Sequence, residues 1–232
     1  MIKVGCAGYP IGRDRYWRTL SFTEADTGKG LPKTETLAGW KADIPAGGEA
    51  SLQALRAITH GPEDKGFPPS YRKLEGRRQA MCGGFRDSLE VYEAWMATRA
   101  AAEALGAKIV VFESPQSFAA GPDRLRDLYN FFKKAVRGKL TFVWQPPKTR
   151  EWDLLADRVC ADVGVIRAFD PLRQPAPKKG AFLYMRPRVP GLGTLTVDNV
   201  ATIRRAAGDV PAYLVLSHRR SYQDAERLKG GR

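Results

Sequence analysis

The sequence predicts an α/β chain folded as a single TIM-like (β/α)8 barrel, irregular in its first third. Five β-branched or aromatic runs, over residues 106–113, 140–145, 164–170, 181–186 and 212–218, each end on a polar residue: Glu113, Gln145, Asp170, Arg186 and His218. Amphipathic helical patterns separate most of these runs, and strands alternating with helices argue for a parallel sheet. Three more strand patterns near the start raise the count to eight. A polar residue at the carboxyl end of a buried strand is where barrels of this class place their chemistry.

Each element has a local reason. Residues 2–9 form a first strand that runs into the glycine-rich turn at Gly8 and Tyr9. Arg13 to Thr19 suits a short helix, and Leu20 to Glu24 a second strand. Leu37 and Trp40 stand at helical spacing after Pro32, with Thr34 as a cap candidate. Glu49 to Leu55 reads as the third strand, followed by Ile58, Thr59 and His60. Residues 61–86 are rich in Gly, Pro and Arg and show no period, which predicts a long basic loop. Asp87 with Glu90 resembles a capping box, and Leu89, Tyr92, Met96 and Ala100 mark the apolar stripe of the next helix, which ends at Gly106. Pro122 to Val136 reads as helix, with Leu125, Leu128, Tyr129 and Phe132 on one face. Trp152 to Val163 is the next helix. Thr196 caps a helix that Gly208 stops, and the last helix spans about Tyr222 to Leu228. Nothing divides the chain, so residues 1–232 are expected to be one domain.

Composition narrows the classes. At 232 residues with 43% hydrophobic content, the chain can bury a real core and is not a disordered chain. No run approaches the ~18 apolar residues of a membrane span, and the first residues begin a strand, so a cytoplasmic, membrane-free protein is expected. Cys6, Cys82 and Cys160 show no paired spacing and imply no disulfide framework. Asn130 and Asn199 are the only asparagines, which fits a hot-environment source. Lys and Arg total 38 against 25 Asp and Glu, a net charge of +13, and a surplus of that size favours polyanionic partners.

Several segments together look familiar: residues 4–9, 58–60, 69–74, 106–118, 143–146, 169–171 and 224–228. In their order and spacing the chain resembles the archaeal branch of the YecE-like family, TIM barrels filed as a domain of unknown function. The resemblance implies a functional rim of strand-end residues. Glu24, His60, Asp170 and Arg186 match its pattern, and Glu113 stands where that pattern has a glutamine. The pattern is broken elsewhere: Gln53 replaces a lysine, Gln145 a glutamate, Arg188 a histidine, and Ser217 with His218 a pair of asparagines. Glu→Gln removes a titratable group, and His→Arg installs a permanent cation.

The candidate catalytic residues are therefore Glu24, His60, Glu113, Asp170 and His218, as acid/base groups or, for the carboxylates, as ligands of a divalent cation. No other cofactor is expected, since two histidines and dispersed carboxylates supply a multi-zinc cluster poorly. Candidate ligand-binding residues are Gly8, Tyr9, Arg72, Gln145, Arg186, Arg188, Arg219 and Arg220. Cys6, Trp144 and Tyr184 read as packing residues. Further cations cluster at Lys73, Arg77 and Arg78, at Lys133, Lys134, Arg137 and Lys139, and at Lys178 and Lys179. The leading expectation is a barrel with a degenerate catalytic rim that binds RNA or a ribonucleoprotein. The alternative is a hydrolase or lyase acting on a phosphorylated small molecule or nucleic acid, with Arg186 clamping the anion. A subunit of a larger assembly is a third reading.

Overall fold

The computed structural model describes residues 1–178, 180–189 and 193–230. Eight strands close into one parallel barrel in sequence order: β1 (Ile2–Ala7), β2 (Phe22–Ala25), β3 (Glu49–Gln53), β4 (Ile109–Glu113), β5 (Thr141–Gln145), β6 (Ile166–Phe169), β7 (Leu183–Met185) and β8 (Ala212–Leu216). The helices are α1 (Arg13–Thr19), α2 (Thr34–Ala42), α3 (Gly76–Ala80), α4 (Leu89–Leu105), α5 (Pro122–Lys134), α6 (Arg150–Val163), α7 (Val197–Ala207) and α8 (Ser221–Lys229). The architecture expected from the sequence is thus the one observed. β1 pairs with both β2 and β8, which closes the wall and puts every strand's carboxyl end at one rim.

The barrel interior holds Phe22, Ile109, Val111, Val143, Ala168, Tyr184 and Val215. Outside it, α4, α5 and α6 bury Trp95, Phe131, Phe132 and Trp152 against Phe112, Phe142 and Trp144 of the wall. Gly5 is bare because β2 lies too close: a Cβ there would stand 2.2 Å from the Phe22 carbonyl oxygen. Among the described residues no helix is long and apolar enough to cross a membrane.

Four local expectations need correction. The stretch 61–86 is not free of regular structure; it carries a 3-10 turn at Tyr71–Lys73 and the short helix α3. Thr34 is the first residue of α2 rather than its cap, a position held by Lys33. Ser88, not Asp87, caps α4 by accepting the Val91 N–H, while Asp87 pairs with Lys134 at 2.5 Å. Replacing Ser88 by alanine is expected to lower stability by about 1 kcal/mol, measurable as a shifted urea midpoint. The stripe chosen on α4 faces outward, with Leu89 at 66% and Met96 at 54% exposure. The buried face is Val91, Ala94, Trp95, Thr98, Ala101, Ala102 and Leu105. Alanine fills both faces of this helix, so periodicity discriminates weakly. Trp95 decides the rotation by docking edge-on to Phe142 and Phe131.

The first third is less irregular than expected, since β1 to β3 join the closed wall. The departure from the eightfold plan falls later. Among the described residues between β6 and β7 there is no helix, and a groove of about 780 Å³ lies beside Arg167 and Cys160. Arg167 fills part of this outer wall and pairs with Asp157 at 2.9 Å and Asp153 at 3.6 Å, both on α6.

Candidate functional site at the barrel mouth

Parallel closure brings the strand ends together, and register decides which side chains meet. Glu113 and Gln145 are directly paired across β4 and β5, and Glu24 is paired with Ser51 across β2 and β3. Arg186, one residue beyond β7, reaches across the mouth to the opposite strands. Its Nη2 donates to Glu24 Oε1 at 3.0 Å, and its Nη1 to Glu113 Oε2 at 3.4 Å and to Gln145 Oε1.

Glu24 is fully buried and fully satisfied. Oε1 also accepts from Gln53 Nε2 at 2.9 Å, and Oε2 from the Tyr184 hydroxyl at 2.7 Å. Because Tyr184 donates to Glu24, it accepts from Ser51 Oγ, 2.8 Å away. Burial and the neighbouring Glu24 push the Tyr184 hydroxyl well above its ordinary range, so it stays a donor. Burial alone would favour loss of the Arg186 proton, but Glu24 and Glu113 outweigh it and hold the guanidinium charged.

Glu113 is the solvent-facing member of the set, with 30% side-chain exposure. Partial burial pulls its pKa upward, but Arg186 and Arg56 win and hold the carboxylate below its usual value. Arg56 Nη2 lies 3.3 Å from Glu113 Oε2. Beside Arg56 sits His60, 6% exposed, whose Nδ1 shares a 2.8 Å hydrogen bond with Thr59 Oγ1. Burial first, and then the Arg56 cation, lower the His60 pKa to about 4, so its ring is neutral at neutral pH.

The other candidates lie elsewhere. Asp170 is buried but shapes the turn after β6, accepting from the Arg188 and Leu172 backbone N–H groups at 3.1 Å and from Lys148 Nζ at 3.4 Å. His218 Nε2 pairs with Asp224 of α8 at 2.8 Å, and the same carboxylate takes the Leu195 N–H. That carboxylate ties α8 to the segment before α7, and His218 has no hydrogen bond to Glu24, Glu113 or Arg186. Tyr9 is turned outward, edge-on to Tyr16, Trp17 and Trp40, so packing occupies its ring. Gly8 turns the chain with φ of 68° and donates to the Glu24 carbonyl at 2.7 Å. Arg72 is spent on the Pro62 and Asp64 carbonyls, each at 3.2 Å. Arg188, Arg219 and Arg220 are exposed, and Lys179 lies outside the described residues.

Positive charge is not confined to this rim. Lys133, Lys134, Arg137 and Lys139 precede β5, and Lys41 and Lys108 line a groove of about 380 Å³ at the amino ends of β3 and β4. Arg56, Ser51 and Lys148 escaped the sequence reading, and Tyr184 entered it only as packing. Arg56 had one signal, a lone cation three residues past the end of a strand.

No protein-family model and no curated protein matches this chain. Solved structures do. A DUF72 family protein of Enterococcus faecalis V583 superposes with a TM-score of 0.69 at 12% identity, over 100% of this chain and 96% of that one. A DUF72 family protein of Thermotoga maritima MSB8 gives 0.63 at 11%, covering 100% and 98%. A xylose isomerase domain containing protein of Salmonella typhimurium LT2 gives 0.58 at 11%, covering 99% and 95%. At such identities the likeness shows the TIM-barrel fold, shared with proteins of a domain of unknown function.

Proposed function

We propose that the barrel mouth is an acid–base site for a small, hydroxyl- or carbonyl-bearing molecule, in a divergent YecE-like barrel. One observation carries this reading: Glu113 Oε1 and His60 Nε2, on the two titratable groups that flank Arg56, have no hydrogen-bond partner among the described residues. Ionised Glu113 is the base, and the neutral His60 ring donates or accepts through Nε2. Arg186 spends three of its five N–H donors on Glu24, Glu113 and Gln145. A phosphate on the molecule would meet the remaining Arg186 N–H groups together with Lys148, whose ammonium lies beside Asp170. Hydrolase or lyase chemistry fits this arrangement. Glu24, Gln145 and Arg186 orient Glu113 rather than react.

The test is a thermal-shift screen of phosphorylated and plain sugars and hydroxy acids, followed by turnover assays on hits. Glu113→Gln should lower turnover by about 10²–10⁴-fold while leaving the unfolding transition in place. An unchanged rate would remove Glu113 from the mechanism.

The charge of +13 supports a second reading, RNA or ribonucleoprotein binding through exposed cations such as Arg188, Arg219 and Arg220. It expects RNA affinity that falls steeply with added salt. Salt-independent association, or none, counts against it.

A further inference from the structure

Arg56 is gripped by two glycines from different loops. Its backbone N–H donates to the Gly28 carbonyl at 2.8 Å. A methyl on Gly28 would stand 3.1 Å from Arg56 Nε, 3.2 Å from its Cγ and 3.0 Å from Gln53 Oε1. From the long loop after β3, a methyl on Gly66 would stand 2.8 Å from His60 Cδ2, 3.0 Å from His60 Nε2 and 3.2 Å from Arg56 Nη1. The 2.8 Å contact is closer than a carbon tolerates, so a side chain at Gly66 must move His60, and the 3.0–3.2 Å contacts at Gly28 are tight enough to press on Arg56 and Gln53. Neither glycine has a positive φ that would itself demand glycine. Space is the reason for both.

Resting on the acid–base reading above, we propose that Gly28 and Gly66 are positioning residues whose bare backbones hold the Arg56 guanidinium between Glu113 and His60. Arg56 then does two things at once. It fixes Glu113 Oε2 and leaves Oε1 outward, and it keeps a positive charge against the His60 ring. A side chain at Gly66 would also stand against His60 Nε2 and Arg56 Nη1 and fill space there that a ligand atom could take.

Histidine NMR tests this without any ligand, because the chain has two histidines and His218→Gln identifies the other. The charged groups acting on His60 are Arg56, Asp64 and Glu113. In the unmodified protein its titration midpoint is expected near 4, below the ordinary 6.5. Arg56→Met removes the cation and should raise the midpoint by about one unit or more. Gly66→Ala parts His60 from Arg56, and Gly28→Ala presses on the Arg56 stem, so both should raise it in the same direction. Gly30→Ala, in the Gly28 loop with nothing within 4 Å of its missing Cβ, should leave it unmoved.

If Arg56→Met shifts His60 and both alanine variants titrate like the parent, the glycines do not position Arg56 and the proposal fails. If Arg56→Met itself has no effect, Arg56 does not act on His60 and the proposal fails at its base. A variant that does not fold is replaced by the other, since each glycine grips Arg56 from its own side. Failure of the acid–base reading looks different: the His60 shifts appear as expected, and Glu113→Gln leaves turnover unchanged.

Discussion

Arg186→Met is expected to lower the unfolding free energy by about 3–5 kcal/mol, the usual cost of removing one partner from a buried ion pair. The side chain is 11% exposed and Glu24 is 0% exposed, so the variant would leave a carboxylate in the barrel with no cation at 3.0 Å. Tyr184 and Gln53 would still donate to Glu24, but neither carries charge. Glu113 would keep only Arg56 at 3.3 Å and is 30% exposed, so most of the loss belongs to Glu24. Urea unfolding of the single variant, of Glu24→Gln and of the double variant closes the cycle. The double variant should recover a large part of the loss, because the uncompensated charge is gone. A loss under about 1 kcal/mol for Arg186→Met would mean that water reaches Glu24 and that the network is not dry.

Acidification should weaken the fold well before ordinary carboxylates titrate. His60 has a folded pKa of about 4 against an unfolded value of 6.5. Between those values the unfolded chain binds a proton that the folded protein refuses, so stability falls as pH drops. From pH 7 to pH 5 the loss amounts to about 2 kcal/mol. Glu113 acts in the same direction but lower: its folded pKa is depressed, so its contribution is present above the unfolded carboxylate value and lost beneath it. Restricting the comparison to pH 5–7 therefore sets Glu113 aside. His60→Gln should flatten the profile in that window, read from urea midpoints at fixed ionic strength. A parent protein equally stable at both pH values would mean that His60 is solvated and free to charge.

The strand ends were legible because a parallel barrel has a simple rule. All eight carboxyl ends lie at one rim, so a run of apolar residues ending in Glu113, Gln145 or Arg186 places that residue at the mouth whatever the loops do. Some helix ends were legible for an equally local reason. Gly106 adopts the left-handed conformation that stops α4, and Thr196 caps α7, whereas the caps read at Thr34 and Asp87 fall to Lys33 and Ser88. Both sets depend on neighbours a few residues away.

What the sequence by itself determined is therefore the barrel, its order and the set of residues delivered to the rim. The tertiary structure alone decided which of them face one another. Glu24 and Arg186 are 162 residues apart and meet because barrel closure sets their height and radius. Glu113 ends β4, whereas Asp170 and His218 lie just beyond β6 and β8 and turn into contacts with the Arg188 backbone and with Asp224. Arg56 belongs to no strand and joins the site because Gly28 and Gly66 leave room for it. Such pairings are fixed by distances across the barrel, and linear order carries no record of a distance across a closed sheet.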